Sequence, residues 1–445
     1  MKQLFTLVIA VLVMSTLSAQ NFTQVWKKLA NGTDYAWFNS TDNNATTLAF
    51  NPVTNKLLVS KRNDRIFVIN PTTGAQEDTL KLQGVGNESF KYNKIRVASD
   101  GAIYAISLAT SPGLAKIYRW ASQTDTATLC ASFTVTERCG DAFGLSGAGA
   151  NTVLYASGAG ATNNAFSIYI LNTTDGKNFN AESKVTMTSS PTTNQQWANR
   201  AVEPDGTGVN ADLWINGGGF NARKISVGAK DANNVRTGTV VTTIEDGTAS
   251  GQASVGYGGT RLFKTANNLK FLVLGGGNNA YAGTKMTAIN VTTESVLITF
   301  GTDSLAAQTT YVANGNGTGD VSFKDNGNNS FTAFYLSTNN GIVATTSRII
   351  TTATKELSGD TEGFTVETLG NPVANTLTLN VNAATERNVT LHITNVLGGV
   401  LHSQQAKIQS GSNLIQLPAQ QLPSGLLLVT VQDGVRQKTV KFVKQ

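Results

Sequence analysis

The feature that most constrains the fold of this chain is a repeated pattern of short apolar runs separated by turn residues. In its first occurrence the runs fall at 46–50, 56–60, 65–69 and 77–82, and the turns between them include NPVTN and NPTTG. Alternating apolar and polar residues over so few positions are typical of antiparallel strands, and Pro, Asn and Gly at the junctions are typical of tight turns. Each repeat is therefore predicted to form a sheet of four antiparallel strands.

The same pattern returns along most of the chain. The centre of the second strand marks each repeat, at Leu58, Tyr104, Leu154, Trp214, Leu272 and Phe334. This spacing approaches the ~40–50 residues of β-propeller blades, and the extra length falls in loops rich in Gly and Asn. We therefore predict an all-β fold with a β-propeller of six blades over 20–352, and seven blades as the alternative count. A parallel β-helix fits less well, because its coils take only ~20–25 residues.

The N-terminal residues have the layout of a secretory signal peptide. Lys2 is followed by an apolar run from Leu4 to Leu17 and by small residues up to Ala19. The run is shorter than the ~20 residues of a membrane span, so 1–19 are assigned to a signal peptide, and no later stretch suits a span either. Residues 22–28, FTQVWKK, are then free to close the propeller as an outer strand of the last blade.

Composition and charge exclude several classes of function. Charged residues make up 14% of the chain, and six Lys or Arg against two acidic residues place four of the six net positive charges in 371–445. The nearly neutral remainder lacks the basic surface of a nucleic-acid-binding protein. Both histidines, His392 and His402, lie in that last segment, so the blades hold no His for a nucleophilic triad or a His-ligated metal. We expect neither a metal nor a cofactor.

The chain has two cysteines, Cys130 and Cys139. An isolated pair in an exported protein favours a disulfide over two free thiols. The sequence therefore predicts a disulfide that closes a local loop.

The last segment, 370–445, follows a predicted linker at 353–369. Alternating runs such as TLTLNV and VTLHITNV, with polar turns every 8–12 residues, are typical of a small Ig-like β-sandwich. Four motifs of this segment resemble, in order and spacing, the type A sorting domain of the type IX secretion system, which exports proteins across the outer membrane of certain Gram-negative bacteria. They are Asn371-Pro372-Val373, Asn395-Val396-Leu397-Gly398, Leu422-Pro423-Ser424-Gly425 and Lys441-Phe442-Val443-Lys444. The family usually has an aromatic residue where this chain has Leu427.

The resemblance implies that the last domain is an address read by the type IX secretion machinery. It implies a secreted or cell-surface protein, from which family members lose the sorting domain during export. The residues that it assigns to the sorting signal are Asn371, Pro372, Val373, Gly398, Gly425, Lys441 and Lys444. The blades also resemble an uncharacterised family of exported bacterial propellers, which adds no function.

The best candidates for a binding site precede or begin the first strand of a blade, near the mouth of the central channel. Polar side chains edged by aromatic residues suit a sugar or peptide ligand there. These candidates are Lys94, Asp141, Trp197, Asn199, Arg200, Gln252 and Asp320. For Trp197, and for the aromatic residues of DYAWF at 34–38, packing between blades is the favoured interpretation, and a place at the binding site is the alternative.

Two classes of function stay open. The absence of His and of a clustered acidic motif in the blades favours a non-enzymatic binding module for a glycan or a protein. The alternative is a polysaccharide hydrolase or lyase in which two carboxylates converge in the channel. Its candidates are Asp141, Glu203, Asp205, Glu245, Asp246 and Asp320. The oxygen-rich stretch 205–212 is predicted to be a solvated turn rather than a calcium site.

Overall fold

The computed structural model divides the chain into two compact units, 1–349 and 350–445. It describes residues 23–158, 167–187, 198–218, 220–244, 258–264, 270–275, 285–292, 298–304, 311–314, 316–327, 330–348, 364–369, 371–395, 399–434 and 436–445. The predicted signal peptide at 1–19 lies outside these ranges. Within them, no helix is long and apolar enough to cross a membrane.

The described strands of the first unit form six antiparallel groups of four. Groups one and two are β2 (Ala45–Asn51), β3 (Lys56–Lys61), β4 (Arg65–Ile69) and β5 (Gln76–Thr79), then β6 (Lys94–Val97), β7 (Ile103–Ile106), β8 (Gly113–Trp120) and β9 (Thr128–Val135). Groups three and four are β10 (Ala142–Ser146), β11 (Val153–Ser157), β12 (Ser167–Asn172) and β13 (Asn180–Met187), then β14 (Ala198–Asp205), β15 (Asp212–Gly218), β16 (Phe220–Val227) and β17 (Val235–Thr243). Groups five and six are β18 (Gly259–Lys264), β19 (Lys270–Gly275), β20 (Lys285–Asn290) and β21 (Ile298–Ser304), then β22 (Gly319–Gly327), β23 (Ser330–Ser337), β24 (Gly341–Arg348) and the N-terminal β1 (Thr23–Leu29).

The six groups are arranged in a ring, so the predicted β-propeller fold is confirmed. The first strand of each group lies innermost and contacts the first strand of the next, and β22 returns to β2. Two glycines allow these strands to approach closely. A Cβ on Gly144 would lie 2.5 Å from the Val202 carbonyl oxygen, and one on Gly259 would lie 2.6 Å from the Cα of Asp320.

The ring closes through the N-terminal strand, as predicted from FTQVWKK. Strand β1 pairs antiparallel with β24, with Trp26 opposite Ala344. The Trp26 indole is 8% exposed, packs 6.3 Å from the Phe334 ring, and donates a hydrogen bond to the Pro71 carbonyl at 2.9 Å. One strand from the start of the chain therefore completes group six and contacts group one.

Apolar side chains fill the space between neighbouring groups. Between groups one and two, for example, Leu58 and Val68 pack with Ile95, Tyr118 and Trp120. Because each group is covered on both faces by its neighbours in the ring, strands near the centre, such as β7, are buried at every position. Such strands carry short continuous apolar runs instead of strict alternation.

Groups three and four are joined at their outer edges in a way that the sequence did not predict. Strands β13 and β17 pair in parallel, Lys184–Met187 against Val235–Gly238, which produces one sheet of eight strands. Arg236 is buried at this junction and donates to Glu182 at 3.0 Å and to Ser183 at 2.8 Å.

The second unit is the predicted β-sandwich. Its strands are β25 (Phe364–Leu369), β26 (Thr376–Ala383), β27 (Arg387–Asn395), β28 (Val400–Ile408), β29 (Gly411–Pro418), β30 (Gly425–Gln432) and β31 (Gln437–Lys444). They form two sheets, β25-β26-β29 and β28-β27-β30-β31, around one apolar core. Assigning all of 353–369 to a linker is wrong for 364–369, because Phe364 and Val366 alternate with polar residues and are buried in this core.

The predicted disulfide is not formed, and both cysteines are buried free thiols. Cys130 lies in extended strand β9, where its thiol donates to the Ile117 carbonyl at 3.3 Å. Cys139 lies beyond the end of that strand and pairs with Ala109. A strand advances about 3.3 Å per residue, so the segment from Cys130 to Val135 spans about 17 Å and does not form the compact loop that we expected.

Candidate ligand-binding face

The predicted residue Lys94 lies in the centre of the ring. It begins β6 and is 1% exposed. Its ammonium group donates to the carbonyl oxygens of Thr46 at 3.3 Å, Gly258 at 3.2 Å and Gly319 at 2.9 Å. Thr46 belongs to group one and Gly319 to group six, and Gly258 directly precedes group five. One side chain therefore bonds to three parts of the ring. Burial lowers the pKa of Lys94 to about 8.

The predicted residue Asp320 is fully buried beside Lys94 and accepts hydrogen bonds from several groups. Its Oδ2 accepts from the Thr47 hydroxyl at 2.5 Å and from Nη1 of Arg96 at 3.0 Å. Its Oδ1 accepts from its neighbour Val321 N at 3.0 Å and lies 3.3 Å from Nη2 of Arg261. Burial opposes ionisation, but the nearby cations outweigh it and hold the pKa of Asp320 below its usual range.

Arg261 extends this network to group four. Its Nη1 lies 3.1 Å from Oε2 of Glu203, and Oε1 of Glu203 accepts from the Leu262 backbone at 3.2 Å. Burial raises the pKa of Glu203 even though Arg261 favours its charged form. The centre therefore contains charged side chains that bond to one another. Arg96 and Arg261 belong to this network and were not predicted from the sequence. Arg96 could have been found from strand alternation, because it stands two residues after Lys94 and points the same way.

The predicted residue Asp141 lies in a more open cluster, which we call the mouth cluster: Arg62, Phe90, Arg138 and Asp141. Arg138 donates to both oxygens of Asp141, from Nε at 2.6 Å and from Nη2 at 2.8 Å, and 38% of the Arg138 side chain is exposed. The Arg62 guanidinium lies 4.3 Å from the centre of the Phe90 ring. Burial lowers the pKa of Arg62, with Asp141 and Arg138 close enough to contribute.

The mouth cluster comes from three loops at one end of the ring. Arg62 follows β3, Phe90 precedes β6, and the Arg138–Asp141 pair precedes β10. These loops bring together two cations, one carboxylate and one aromatic face. Of these four residues, Asp141 alone was predicted from the sequence. Arg62 was missed because the hairpin loop after a second strand was not considered, and Phe90 and Arg138 were not among the predicted residues.

The other predicted binding residues are described only in part or not at all. Trp197 and Gln252 lie outside the described residues, as do the hydrolase candidates Glu245 and Asp246. Asn199 and Arg200 belong to β14, in which Asn199 pairs with Gly217.

Packing, the interpretation favoured for DYAWF, is what the structure shows for that segment. The Trp37 ring stacks on Phe67 with 4.0 Å between centroids, and its indole donates to Gln76 at 2.8 Å. Tyr35 and Phe38 are buried on the same cluster. This aromatic segment therefore anchors the loop between β1 and β2 onto group one.

The oxygen-rich stretch 205–212 is held by lysines. Asp205 lies 2.5 Å from the Lys270 ammonium and 3.2 Å from that of Lys224, which also lies 3.4 Å from Asp212. In the parts of the chain that the structure describes, no group of three or more His, Cys, Asp or Glu is arranged to hold a metal ion.

A surface cavity of about 610 Å³ lies between groups three and four, at the opposite end of β10 from Asp141. It is lined by small and polar residues such as Asn151, Asn172 and Thr207, and its lining includes no charged side chain. It therefore lacks the combination of charge and aromatic surface found in the mouth cluster.

In the second unit, the first and last motifs of the sorting signal bind each other. The Asn371 side chain accepts from Val443 N at 2.8 Å, and Val373 donates to the Val443 carbonyl at 2.8 Å. Leu427 is 2% exposed and occupies the core in place of the aromatic residue usual in the family. Gly425 has a φ of +122°, which favours glycine, and Lys441 is exposed on β31.

The remaining residues assigned to the sorting signal are placed as follows. Lys444 pairs with Val373 and is partly exposed, Pro372 lies between the two bonded residues of the first motif, and Gly398 lies outside the described residues.

A comparison with protein families decides what this unit is. Residues 370–445 match the family model described as the secretion system C-terminal sorting domain. Residues 370–445 of the second unit are a type IX sorting domain. This domain marks the protein as secreted or attached to the cell surface, and it implies interaction with the type IX secretion machinery.

Other comparisons concern the chain as a whole. No curated protein matches it. Solved structures with a similar course include the major allergen Mala s 1 of Malassezia sympodialis, at 10% identity and a TM-score of 0.42, covering 69% of this chain and 94% of that one. An α-L-arabinanase of Penicillium chrysogenum, complexed with arabinobiose, has 10% identity, a TM-score of 0.45 and coverage of 74% and 98%. U3-55K has 12% identity, a TM-score of 0.39 and coverage of 72% and 98%. Such a likeness says nothing about the ligand or activity of this chain.

Proposed function

We propose that the first unit is a non-enzymatic binding module for a glycan or a protein, delivered outside the cell by the sorting domain. The observation that carries this proposal is the contrast between the mouth cluster and the centre of the ring. The described central carboxylates, Glu203 and Asp320, are both engaged by arginines; Asp320 is fully buried, and 14% of the Glu203 side chain is exposed. The mouth cluster instead offers a partly exposed Arg138–Asp141 pair close to Arg62 and Phe90.

Of the two ligand classes, a glycan fits the mouth cluster better. Guanidinium groups donate in a planar fork to carboxylates or vicinal hydroxyls, and a carboxylate accepts from sugar hydroxyls. Arg62 covers one face of the Phe90 ring, so a sugar ring would pack against the opposite face. Because Arg62 and Arg138 outnumber Asp141, acidic sugars are the preferred class.

Glycan-array screening of residues 20–445, the protein without its predicted signal peptide, tests this function. Titration calorimetry with a glycan that binds follows. Arg138→Ala and Asp141→Ala each remove charge-assisted hydrogen bonds, which are worth roughly 1.5–3 kcal/mol, so affinity should fall about ten- to hundred-fold. The matched controls are Lys56→Ala and Glu77→Ala, which break a partly exposed ion pair of 2.5 Å in group one.

The controls should leave both affinity and melting temperature nearly unchanged. If Arg138→Ala and Asp141→Ala lower the melting temperature while the folded fraction binds normally, the pair is structural and the assignment fails. Absence of any glycan binding, together with capture of a defined protein ligand, would move the proposal to the protein class.

One observation favours the alternative, a polysaccharide hydrolase or lyase. Burial raises the pKa of Glu203, a property that catalytic acids share. Both oxygens of Glu203 are nevertheless engaged, by Arg261 and by the Leu262 backbone. The alternative predicts release of reducing or unsaturated sugar ends from a polysaccharide and loss of that release in Glu203→Gln.

A further inference from the structure

The centre of the first unit carries more positive than negative charge among its described side chains. Lys94, Arg96 and Arg261 supply three cations, whereas Glu203 and Asp320 supply two carboxylates. The three cations are at most 7% exposed. A buried charge without a counter-charge is costly, because water no longer solvates it.

The neighbouring ion pair, Arg138–Asp141, does not remove this excess of positive charge. Asp141 lies close enough to influence Lys94, but Arg138 binds both of its carboxylate oxygens. Adding this pair to the count therefore leaves one uncompensated positive charge. The charged groups that act on Lys94 are Asp320 and Asp141 on one side and Arg96 and Arg261 on the other.

The same place also contains donors without acceptors. Nε of Arg96 and Nη2 of Arg261 are buried and make no hydrogen bond to the part of the chain that the structure describes, although the latter lies 3.3 Å from Asp320 Oδ1. Buried donors are normally paired, so each calls for an explanation. An acceptor that carries negative charge satisfies both the unpaired donors and the excess charge, which a water molecule does not.

We propose that the centre of the first unit binds one small monovalent anion of the size of chloride, on the unpaired N–H groups of Arg96 and Arg261. The anion is small because neighbouring inner strands approach so closely here that a Cβ on Gly259 would lie 2.6 Å from the Cα of Asp320. Since Arg96 belongs to group two and Arg261 to group five, a shared anion links strands on different parts of the ring. It also favours the charged form of Lys94, so anion binding and proton binding reinforce each other.

The test measures the melting temperature of the full-length mature protein at pH 6.5, in sodium chloride and in sodium gluconate of equal ionic strength. Binding to the folded state alone should raise the melting temperature in chloride by on the order of 5 °C at about a hundredfold excess over the dissociation constant. Bromide should act like chloride and give an anomalous-scattering peak beside Arg96 and Arg261 in crystals. Equal melting temperatures in the two salts, or a peak elsewhere only, would overturn the proposal.

Lys94→Gln removes the excess charge and keeps a hydrogen-bond donor, so the response to chloride should disappear. Lys81→Gln removes an exposed charge of the same kind and should keep the response. If Lys94→Gln does not fold, the unaltered protein at pH 9.5 replaces it. With the pKa of Lys94 at about 8, the excess charge is then largely gone and the chloride response should be much weaker. A response that is equally strong at both pH values contradicts the proposal.

Discussion

Replacing Asp320 by Asn is the sharpest test of the central network. The carboxylate accepts from Thr47, Arg96 and its neighbour Val321, and lies 3.3 Å from Arg261. Asn keeps the shape and leaves the cations buried without their main counter-charge. Removing one partner of a buried ion pair costs about 3–5 kcal/mol. At ~2–3 °C per kcal/mol for a unit of this size, the melting temperature of the first unit should fall by roughly 6–15 °C.

Calorimetry and urea unfolding of the full-length mature protein measure this loss. Asp64→Asn is the matched control, because its 3.0 Å ion pair with Arg65 is exposed and should contribute less than about 1 kcal/mol. The lowered pKa of Asp320 means that its contribution is present above the pKa of an unfolded Asp, near ~3.9, and is lost as pH falls below it. A loss below about 1 kcal/mol in Asp320→Asn, equal to that of the control, would refute the assignment of the network as a structural element.

Three further predictions follow from other parts of the molecule. Trp26→Ala should destabilise the first unit by about 3–5 kcal/mol in urea unfolding, because it removes a buried indole that closes the ring on Phe334; a loss under 1 kcal/mol would contradict this closure. Cys130, whose pKa burial raises to about 12, and Cys139 should resist alkylation in the folded protein and both react in guanidinium without reductant; an unreactive pair in guanidinium would indicate a disulfide. Deletion of 371–445 should leave the first unit folded but retained in the periplasm of the native host, and normal export by immunoblotting would contradict the sorting role.

The fold was predictable where the signal in the sequence is local. Strands β2 to β5 match the predicted runs to within three residues, because alternation and turn residues act over short stretches. The closing strand β1 was predictable because 22–28 had no other partner. The parallel pairing of β13 with β17 was not predictable, since it depends on how far two outer strands from different groups extend toward each other. Strand β25 was missed because it follows a polar segment and is only six residues long.

The sequence predicted where the polar residues of the site lie along the inner strands, and it did not predict that they would be buried. Lys94 and Asp320 were expected near the channel because they begin inner strands, and they do lie at the centre of the ring. The sequence does not say how closely six inner strands approach, and close approach at Gly144 and Gly259 turns an expected open channel into a packed interior. The cysteine pair failed for a related reason, because a separation of nine positions says nothing about distance when an extended strand lies between them.

The ion pairs at the centre of the ring help to select one arrangement of the six groups. Apolar contacts between neighbouring groups are permissive, since any apolar face packs on another of similar volume. The central ion pairs are selective: Arg96 of group two and Arg261 of group five both reach Asp320 of group six, and Arg261 also reaches Glu203 of group four. A wrong pairing of groups leaves at least one of these charges buried and unpaired, which costs several kcal/mol. The network therefore favours a single closed arrangement even where its net contribution to stability is small.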